Sequence, residues 1–224
     1  MSKGSGNGND ELRRFLEQHP DVQMLELLQP DMAGVLRGKR VVRGDFAKIF
    51  ADGVNFCGAT TLLDTKGQTF AGIDNGGRDG DPDVISHAVA GSLAAVPWAA
   101  VPSAQVLLTM RGADGEAYFA DPRQVLRRAA QPLSELGLQP VVATELEFYL
   151  LNGDAEEPTP RVGLIPGTRK RQDGLQFASM DDVEDVDPFL AELYAVCRTQ
   201  GIPAGATLKE FSPGQFEVNL QHVP

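Results

Sequence analysis

The chain has 224 residues, of which 42% are hydrophobic and 23% are charged, and its formal net charge at pH 7 is -11. This length and composition allow a buried core in one large domain or two small ones, whereas the acidic balance argues against binding to the phosphates of a nucleic acid. Two cysteines are too few for a disulfide framework or a cysteine-rich zinc site. Since no signal-peptide core or apolar stretch of membrane-spanning length is present, we expect a cytoplasmic protein without a membrane segment.

The first half of the sequence predicts a small α+β unit. Residues 1–20 are expected to form a disordered, glycine-rich tail and a short helix that starts at Asp10. Within residues 21–112, strands at 22–28 and 33–42 are separated by turn residues, which predicts a hairpin. The remaining expected elements of this unit are a helix capped by Asp45 that ends at Asp52-Gly53, turns in the glycine-rich segment 72–80, and a strand at 106–110.

The second half, residues 113–224, opens with a strong helix signal. Asp121-Pro122 combines a capping side chain with a proline at the first helical position, and Gly137 marks the end of the helix. The same signal recurs at Asp187-Pro188, with a stop at Gly201. Strands are expected at 141–151 and 215–223, with a long loop at 152–175.

The strand at 141–151 carries two carboxylates on one face. Side chains alternate between the two faces of a strand, so Glu145 and Glu147 point together, while Val142, Leu146 and Phe148 point to the other face. Neighbouring carboxylates repel each other unless both face water or a cation lies between them. The pattern alone leaves both interpretations open, and a solvated sheet face is the more frequent case.

The last strand has a similar design. Gln215, Glu217 and Asn219 share one face, and Glu210 precedes the turn that leads into the strand. Hard divalent cations such as Mg²⁺ take oxygen ligands of this kind, although a polar surface would give the same pattern.

Several motifs, in the same order, resemble those of glutamine synthetases over residues 22–224. The segment Thr144-Glu-Leu-Glu-Phe-Tyr-Leu150 resembles the family's Glu-x-Glu-Phe strand, and Ser212-Pro-Gly-Gln-Phe-Glu-Val-Asn-Leu220 resembles its Pro-Gly-Gln-x-Glu strand. The hairpin around Asp31–Lys39 is similar to that of the family's N-terminal domain, and Val96-Pro-Trp98 and Asp121-Pro-Arg123 are similar to the segments that lead into its catalytic domain. The resemblance implies an α+β fold in which a β-grasp domain at 21–112 precedes the first part of a catalytic domain with a curved antiparallel sheet at 113–224.

The resemblance also implies roles for five residues. Glu147, Glu210 and Glu217 match the carboxylates that hold a metal beside the glutamate substrate, and Glu145 matches a ligand of the second metal, beside the ATP phosphates. Asp52 matches an aspartate of the N-terminal domain that binds and helps to deprotonate ammonium in the site of a neighbouring subunit. The expected cofactor is Mg²⁺ or Mn²⁺, with ATP as co-substrate.

The implied reaction joins glutamate to an amine in two steps. ATP first phosphorylates the side-chain carboxylate of glutamate, and an amine then displaces phosphate from this γ-glutamyl phosphate. Ammonia-using bacterial members of the family usually carry His-His-Glu where this chain has Leu208-Lys209-Glu210. The Glu-x-x-Pro-Gly-Gln form is more similar to the branch that uses putrescine or other organic amines, so both ammonia and an organic amine remain candidates.

The matched motifs cover only part of the family's site. Its other second-metal ligands, glutamate loop and phosphate-binding arginines would lie beyond Pro224, so we expect this chain alone to be inactive and prone to aggregation. The full-length protein is expected to form homo-oligomeric stacked rings, with active sites between subunits. Two alternatives are a non-catalytic glutamine synthetase-like structural or binding protein and a plain acidic α+β binding domain.

Overall fold

The computed structural model describes residues 5–69, 80–153 and 156–223. The chain divides into two compact units, residues 1–138 and 139–224. None of the helices in the described part of the chain is both long enough and apolar enough to cross a membrane. The predicted turns at 72–80 lie outside the described residues, except for Gly80.

The first unit is built on a six-stranded mixed sheet. Its strand order is β2-β1-β6-β4-β3, and β5 also pairs with β6. Strands β1 and β6 are parallel, and the other neighbours are antiparallel. The strands are β1 Met24–Pro30, β2 Leu36–Val42, β3 Val54–Cys57, β4 Asp83–Ala88, β5 Ala94–Ala95 and β6 Ser103–Arg111.

Helices α1, Ser5–Gln18, and α2, Phe46–Asp52, contribute to the core of this unit. Leu12 of α1 and Phe46 of α2 pack with the buried strand residues Leu25, Leu27 and Val106. Short 3-10 turns precede α2 and follow β3, at Arg43–Asp45 and Gly58–Leu62. The predicted hairpin and the helix that ends at Asp52 are confirmed, but the Asp45 side chain makes no capping hydrogen bond.

The prediction of a disordered tail up to residue 9 is wrong for its described part. Helix α1 begins at Ser5 and not at Asp10, although the glycines and asparagines of this segment have low intrinsic helix propensity. The contact of Gly8 with Phe50 of α2 supports the additional turn. Residues 1–4 lie outside the described range.

The sequence of the β1–β2 hairpin is explained by local contacts. The Asp31 carboxylate is buried, accepts hydrogen bonds from the backbone N–H groups of Ala33 and Val35 at 2.9 and 2.8 Å, and forms an ion pair with Arg37. Gly38 lies against the backbone of the neighbouring strand, since a Cβ there would come within 2.2 Å of the Leu27 carbonyl oxygen. Asp31, Arg37 and Gly38 therefore shape the hairpin.

Helix α3, Pro122–Glu135, starts at the predicted cap. One oxygen of the buried Asp121 carboxylate accepts from the Arg123 N–H at 2.9 Å, and the other accepts from the Thr109 hydroxyl and the Met110 N–H, each at 2.7 Å. A single carboxylate thus caps α3 and fixes its start to the end of β6.

The second unit contains a three-stranded antiparallel sheet in the order β10-β11-β7. Phe148 and Phe216 from the sheet pack against Val186 and Leu190. The elements of this unit are β7 Glu145–Tyr149, β8 Leu151–Asn152, β9 Thr159–Pro160, α4 Met180–Glu184, α5 Asp187–Gln200, β10 Ala204–Lys209 and β11 Gln215–Leu220.

Three details of this unit differ from the sequence-based expectation. Asp187 is the first residue of α5 and does not cap it; Val186 occupies the cap position without a side-chain hydrogen bond. Strands β7 and β11 are shorter than predicted, and Leu146 is half exposed because the apolar core of the unit covers the sheet at Phe148 and Phe216. Helix α4 and strand β10 were not predicted.

Candidate carboxylate metal site

The two predicted acidic strands are direct neighbours. Strand β11 pairs with β7 in a register that sets Glu217 opposite Glu147 and Asn219 opposite Glu145. Directly opposed residues of an antiparallel pair have Cβ atoms about 4.5–5.5 Å apart and point to the same face. The structure therefore brings three of the predicted carboxylates to one face of one sheet.

Glu210 joins this group from the turn between β10 and β11. Its carboxylate is close enough to Glu217 to raise the pKa of that side chain, and one of its oxygens accepts a 3.2 Å hydrogen bond from the Phe211 N–H. All four predicted metal-site glutamates thus belong to the same sheet and its connecting turn.

The turn before β11 explains the Pro-Gly-Gln motif. Gly214 has φ +69°, and a Cβ there would lie 2.7 Å from the Leu150 carbonyl oxygen and 2.8 Å from that of Arg161. The Leu150 N–H donates to the Gly214 carbonyl oxygen at 2.8 Å. Glycine is required here because only a residue without a side chain lets the turn lie against the end of β7.

Gln215 links the two acidic strands. Its Nε2 donates to Oε2 of Glu147 at 2.6 Å, and its Oε1 accepts from the Tyr149 hydroxyl at 3.3 Å and from the Ser212 N–H at 3.4 Å. The glutamine of the motif therefore orients the carboxylate of Glu147.

Glu217 is in an unfavourable position for a negative charge. The residue is only 7% exposed. Burial is the main cause that raises the pKa of Glu217, and the charges of Glu145 and Glu210 raise it further, while a hydrogen bond from Asn219 acts in the opposite direction. A cation in this site would compensate for the repulsion.

Asn219 adds a further oxygen to the same face. Its side-chain Oδ1 is buried and has no hydrogen-bond partner among the described residues. A buried acceptor without a partner costs about 1–3 kcal/mol, and a cation or a water bound to a cation would satisfy it. The donor set is made of hard oxygens, which suits Mg²⁺ or Mn²⁺.

The side chains do not converge on a single point. Within residues 5–69, 80–153 and 156–223, no group of three or more His, Cys, Asp or Glu side chains is arranged closely enough to hold a metal ion. Glu147 is directed toward Gln215, and carboxylates that repel each other have no reason to converge without a cation between them.

Asp52 lies in the other unit, as the last residue of α2, and is exposed. The glycine that follows it has a structural reason of its own: Gly53 has φ +79°, and a Cβ there would lie 2.7 Å from the Ser86 carbonyl oxygen. The fold alone therefore explains the glycine of the Asp-Gly match. Only the aspartate can indicate a function, and its role stays a prediction.

Sequence reasoning gave no role to two side chains of this site. Lys209 is buried beneath the turn that carries Glu210, and Asn219 carries a buried oxygen without a hydrogen-bond partner among the described residues. The alternation along β11 already places Asn219 on the polar face, whereas the burial of Lys209 has no signal in the local sequence.

Comparison with known proteins identifies the family. A family model described as "Glutamine synthetase, catalytic domain" matches residues 119–224. Residues 119–224 therefore belong to the glutamine synthetase family as part of its catalytic domain, so the resemblance of the motifs is confirmed.

Individual relatives agree with this assignment. The chain is 37% identical, over 95% of its own length and 45% of the relative, to gamma-glutamylputrescine synthetase from Escherichia coli (strain K12). It is 29% identical, over 94% of its length and 46% of the relative, to glutamate–isopropylamine ligase from Pseudomonas sp.. The chain therefore spans about half the length of these curated relatives.

A solved structure supports the fold. The crystal structure of a novel glutamine synthase homolog matches with a TM-score of 0.71 at 21% identity, over 90% of this chain and 44% of that chain. The expected α+β, glutamine synthetase-like fold is confirmed, and the β-grasp assignment of the N-terminal region stays a prediction.

Proposed function

We propose that this chain supplies the first part of the catalytic centre of an ATP-dependent ligase that joins glutamate to an amine. The observation that carries the proposal is the pairing of Glu147 with Glu217 across two adjacent strands. Together with Glu145 and Glu210, this pair makes a set of four carboxylates. Such a concentration of negative charge has a chemical use in a ligase that must hold divalent cations beside ATP and glutamate.

In this proposal, Glu147, Glu210 and Glu217 hold the cation beside glutamate, and Glu145 contributes to a second cation beside the ATP phosphates. The bound Mg²⁺ or Mn²⁺ would neutralise charge on the transferred phosphoryl group. The residues of this chain bind and orient: Gln215 fixes the direction of the Glu147 carboxylate, and the glycine turn fixes the start of β11. Asp52 is proposed to act on the incoming ammonium or amine in a neighbouring subunit.

An organic amine is the substrate class we favour over ammonia. The support comes from two relatives, whose names specify putrescine and isopropylamine. The Leu208-Lys209-Glu210 sequence supports the same choice because it lacks the His-His-Glu of the ammonia-using enzymes. Glutamate and ATP are the other expected substrates, and homo-oligomeric rings in the cytoplasm are the expected form of the whole protein.

A phosphate-release assay on the whole protein tests this proposal. Glutamate and ATP are supplied with Mg²⁺, and ammonia, putrescine, isopropylamine and ethanolamine are compared in parallel. The expected result is amine-dependent phosphate release that is fastest with an organic amine, with a γ-glutamyl amide detected by mass spectrometry. No phosphate release and no amide with any amine would instead support the non-catalytic alternative.

We further propose that residues 1–224 alone are inactive and prone to aggregation. Among the described residues, β7 pairs only with β11, so one edge of β7 is open, and Leu146 and Tyr149 on this strand are exposed. Open strand edges and exposed apolar side chains favour association. A monodisperse, catalytically active monomer of these 224 residues in light scattering and in the same assay would refute this.

A further inference from the structure

A buried lysine lies directly beneath the turn that carries Glu210. Lys209 is the last residue of β10 and is only 4% exposed, which is unusual for a lysine. Its Nζ donates a 2.9 Å hydrogen bond to the Ser212 carbonyl oxygen and a second hydrogen bond to the Glu210 carbonyl oxygen. The ammonium group thus bonds to two carbonyls of one turn.

The backbone of this turn closes around the ammonium group. The Glu210 N–H donates to the Gln215 carbonyl oxygen at 3.0 Å, and the Gln215 N–H donates to the Ser212 carbonyl oxygen at 3.1 Å. The Ser212 carbonyl oxygen therefore accepts from both the backbone and Lys209. Because Glu210 starts this turn and Gln215 ends it, its conformation sets the direction of both side chains.

A second buried charge, outside the turn, acts on the lysine. The Asp182 carboxylate, on α4, is 5% exposed, attracts the Lys209 ammonium and accepts a 2.8 Å hydrogen bond from the Gln172 amide. The Lys209 carbonyl oxygen accepts from the Ala178 N–H at 2.9 Å, just before α4. The lysine is therefore linked to the α4 region by a backbone hydrogen bond and by the attraction between its ammonium group and Asp182.

Packing alone does not explain why this buried position is occupied by a charged lysine. The Lys209 Nζ lies 5.9 Å from the centre of the Phe216 ring, and a methionine could fill the same space. A methionine would remove the lysine donor from the Glu210 carbonyl and one of the two donors from the Ser212 carbonyl.

We propose that Lys209 is a positioning residue that fixes the Glu210 carboxylate relative to Glu217 by binding two carbonyls of the connecting turn. The proposal rests on the proposed function, because it assigns Glu210 to the cation site. Lys209 itself does not touch the cation or the substrate. Its effect on cation binding passes through Glu210.

The test compares variants of the whole protein in two measurements. The Mn²⁺ dissociation constant is measured by electron paramagnetic resonance, and the urea midpoint is measured with a chelator present. Lys209→Met should lower the urea midpoint, since it leaves Asp182 buried without its counter-charge. The double variant Lys209→Met/Asp182→Asn should recover the midpoint, because neither buried charge remains, yet should still bind Mn²⁺ about 10–100-fold more weakly than the wild type.

A second comparison asks whether the effect passes through Glu210. Glu210→Gln should weaken Mn²⁺ binding by itself, and adding the Lys209→Met/Asp182→Asn pair to it should cause no further loss. Lys170→Met, at an exposed lysine of the same unit, is the control and should leave both measurements unchanged. Mn²⁺ binding is recorded at a temperature at which circular dichroism shows that every variant is folded.

Two results would overturn the inference. One is wild-type Mn²⁺ affinity in the folded Lys209→Met/Asp182→Asn variant. The other is a full additional loss of Mn²⁺ affinity when this pair of substitutions is added to Glu210→Gln. Failure of the proposed function has a different signature, because Glu217→Gln would then also bind Mn²⁺ like the wild type.

Discussion

Glu147 and Glu217 lie directly opposite each other on the adjacent antiparallel strands β7 and β11. Like charges in directly opposed positions of a sheet are destabilising, and here Glu145 and Glu210 add to the repulsion that acts on Glu217. Without a cation, such a pair lowers the stability of the sheet. Removing one of the charges should therefore raise the stability of the metal-free protein.

Glu217→Gln should stabilise the metal-free protein at pH 7. The pKa of Glu217 is raised in the folded state, first by burial and then by the neighbouring carboxylates. A carboxyl group whose pKa is higher in the folded than in the unfolded state is harder to ionise when folded, so its ionisation lowers stability as pH rises through this range. The urea midpoint with a chelator present should therefore be higher for the variant than for the wild type.

The pH dependence gives the control for this prediction. The advantage of Glu217→Gln should shrink as the pH falls through the raised folded-state pKa, and it should vanish below the usual glutamate pKa of 4.5, where the wild-type side chain carries a proton in both states. A variant that is less stable than the wild type at pH 7, or whose advantage grows toward acid pH, would contradict the electrostatic explanation.

Asn219→Leu should weaken Mn²⁺ binding by about 10–100-fold, the range found when a supporting residue of a metal site is removed. The buried Asn219 Oδ1 has no partner among the described residues, so we expect a cation or its bound water to satisfy it. Calorimetric titration with Mn²⁺ measures the change. Gln221→Leu, at the exposed position two residues further along, is the matched control. Equal Mn²⁺ affinities of the two variants would show that Asn219 does not contribute to the site.

Gly214→Ala should be strongly destabilising, by more than the roughly 1–2 kcal/mol that left-handed backbone costs a residue with a side chain. The added Cβ would also meet the carbonyl oxygens of Leu150 and Arg161 at 2.7 and 2.8 Å. Gly167→Ala is the control, since Gly167 also has positive φ (+74°) but a Cβ added there would meet no described atom within 4 Å. Equal losses in urea denaturation would show that the close approach at residue 214 contributes nothing.

The two Asp-Pro helix starts should respond differently to mutation. Asp121→Ala removes a buried carboxylate that accepts three hydrogen bonds, so a loss of about 2 kcal/mol or more is expected. Asp187→Ala should cost no more than about 1 kcal/mol, because Asp187 lies inside α5 and contributes only its charge near the helix N-terminus. Thermal unfolding of both variants checks the difference, which similar losses would contradict.

The sequence predicts those parts of the fold whose signals are local. The turn residues of the β1–β2 hairpin, the Asp121-Pro122 helix start and the alternation along β7 and β11 are all short-range patterns, and the structure has each of these elements. Identical signals can still have different outcomes. Asp121 caps its helix whereas Asp187 does not, because the cap position is decided by the surrounding packing.

The elements that were missed have weak local signals or depend on distant contacts. Strand β10, with the sequence Ala-Gly-Ala-Thr-Leu-Lys, has few β-branched or aromatic residues and is held by its pairing with β11. Helix α4 does have a usable signal, since the Ser179 hydroxyl accepts from the Asp182 N–H in a cap pattern that the sequence contains. The burial of Lys209 depends on α4 and on the turn, so no short window of sequence could predict it.

For the candidate site, the sequence supplied the four glutamates and the structure supplied their register. Alternation along each strand predicts which carboxylates share a face. It does not predict that Glu147 is opposite Glu217 and not shifted by two residues, since the register depends on the turn at Gly214 and the bond from Gln215 to Glu147.

Mn²⁺ binding to the whole protein tests the central claim most directly. Titrations of the wild type, Glu147→Gln and Glu217→Gln are compared with Glu192→Gln, which changes an exposed glutamate of α5. If the opposed carboxylates hold the cation, the first two variants should each lose at least about 100-fold in affinity or lose a binding site, and Glu192→Gln should bind like the wild type. Unchanged Mn²⁺ affinity and stoichiometry in both Glu147→Gln and Glu217→Gln would contradict the account.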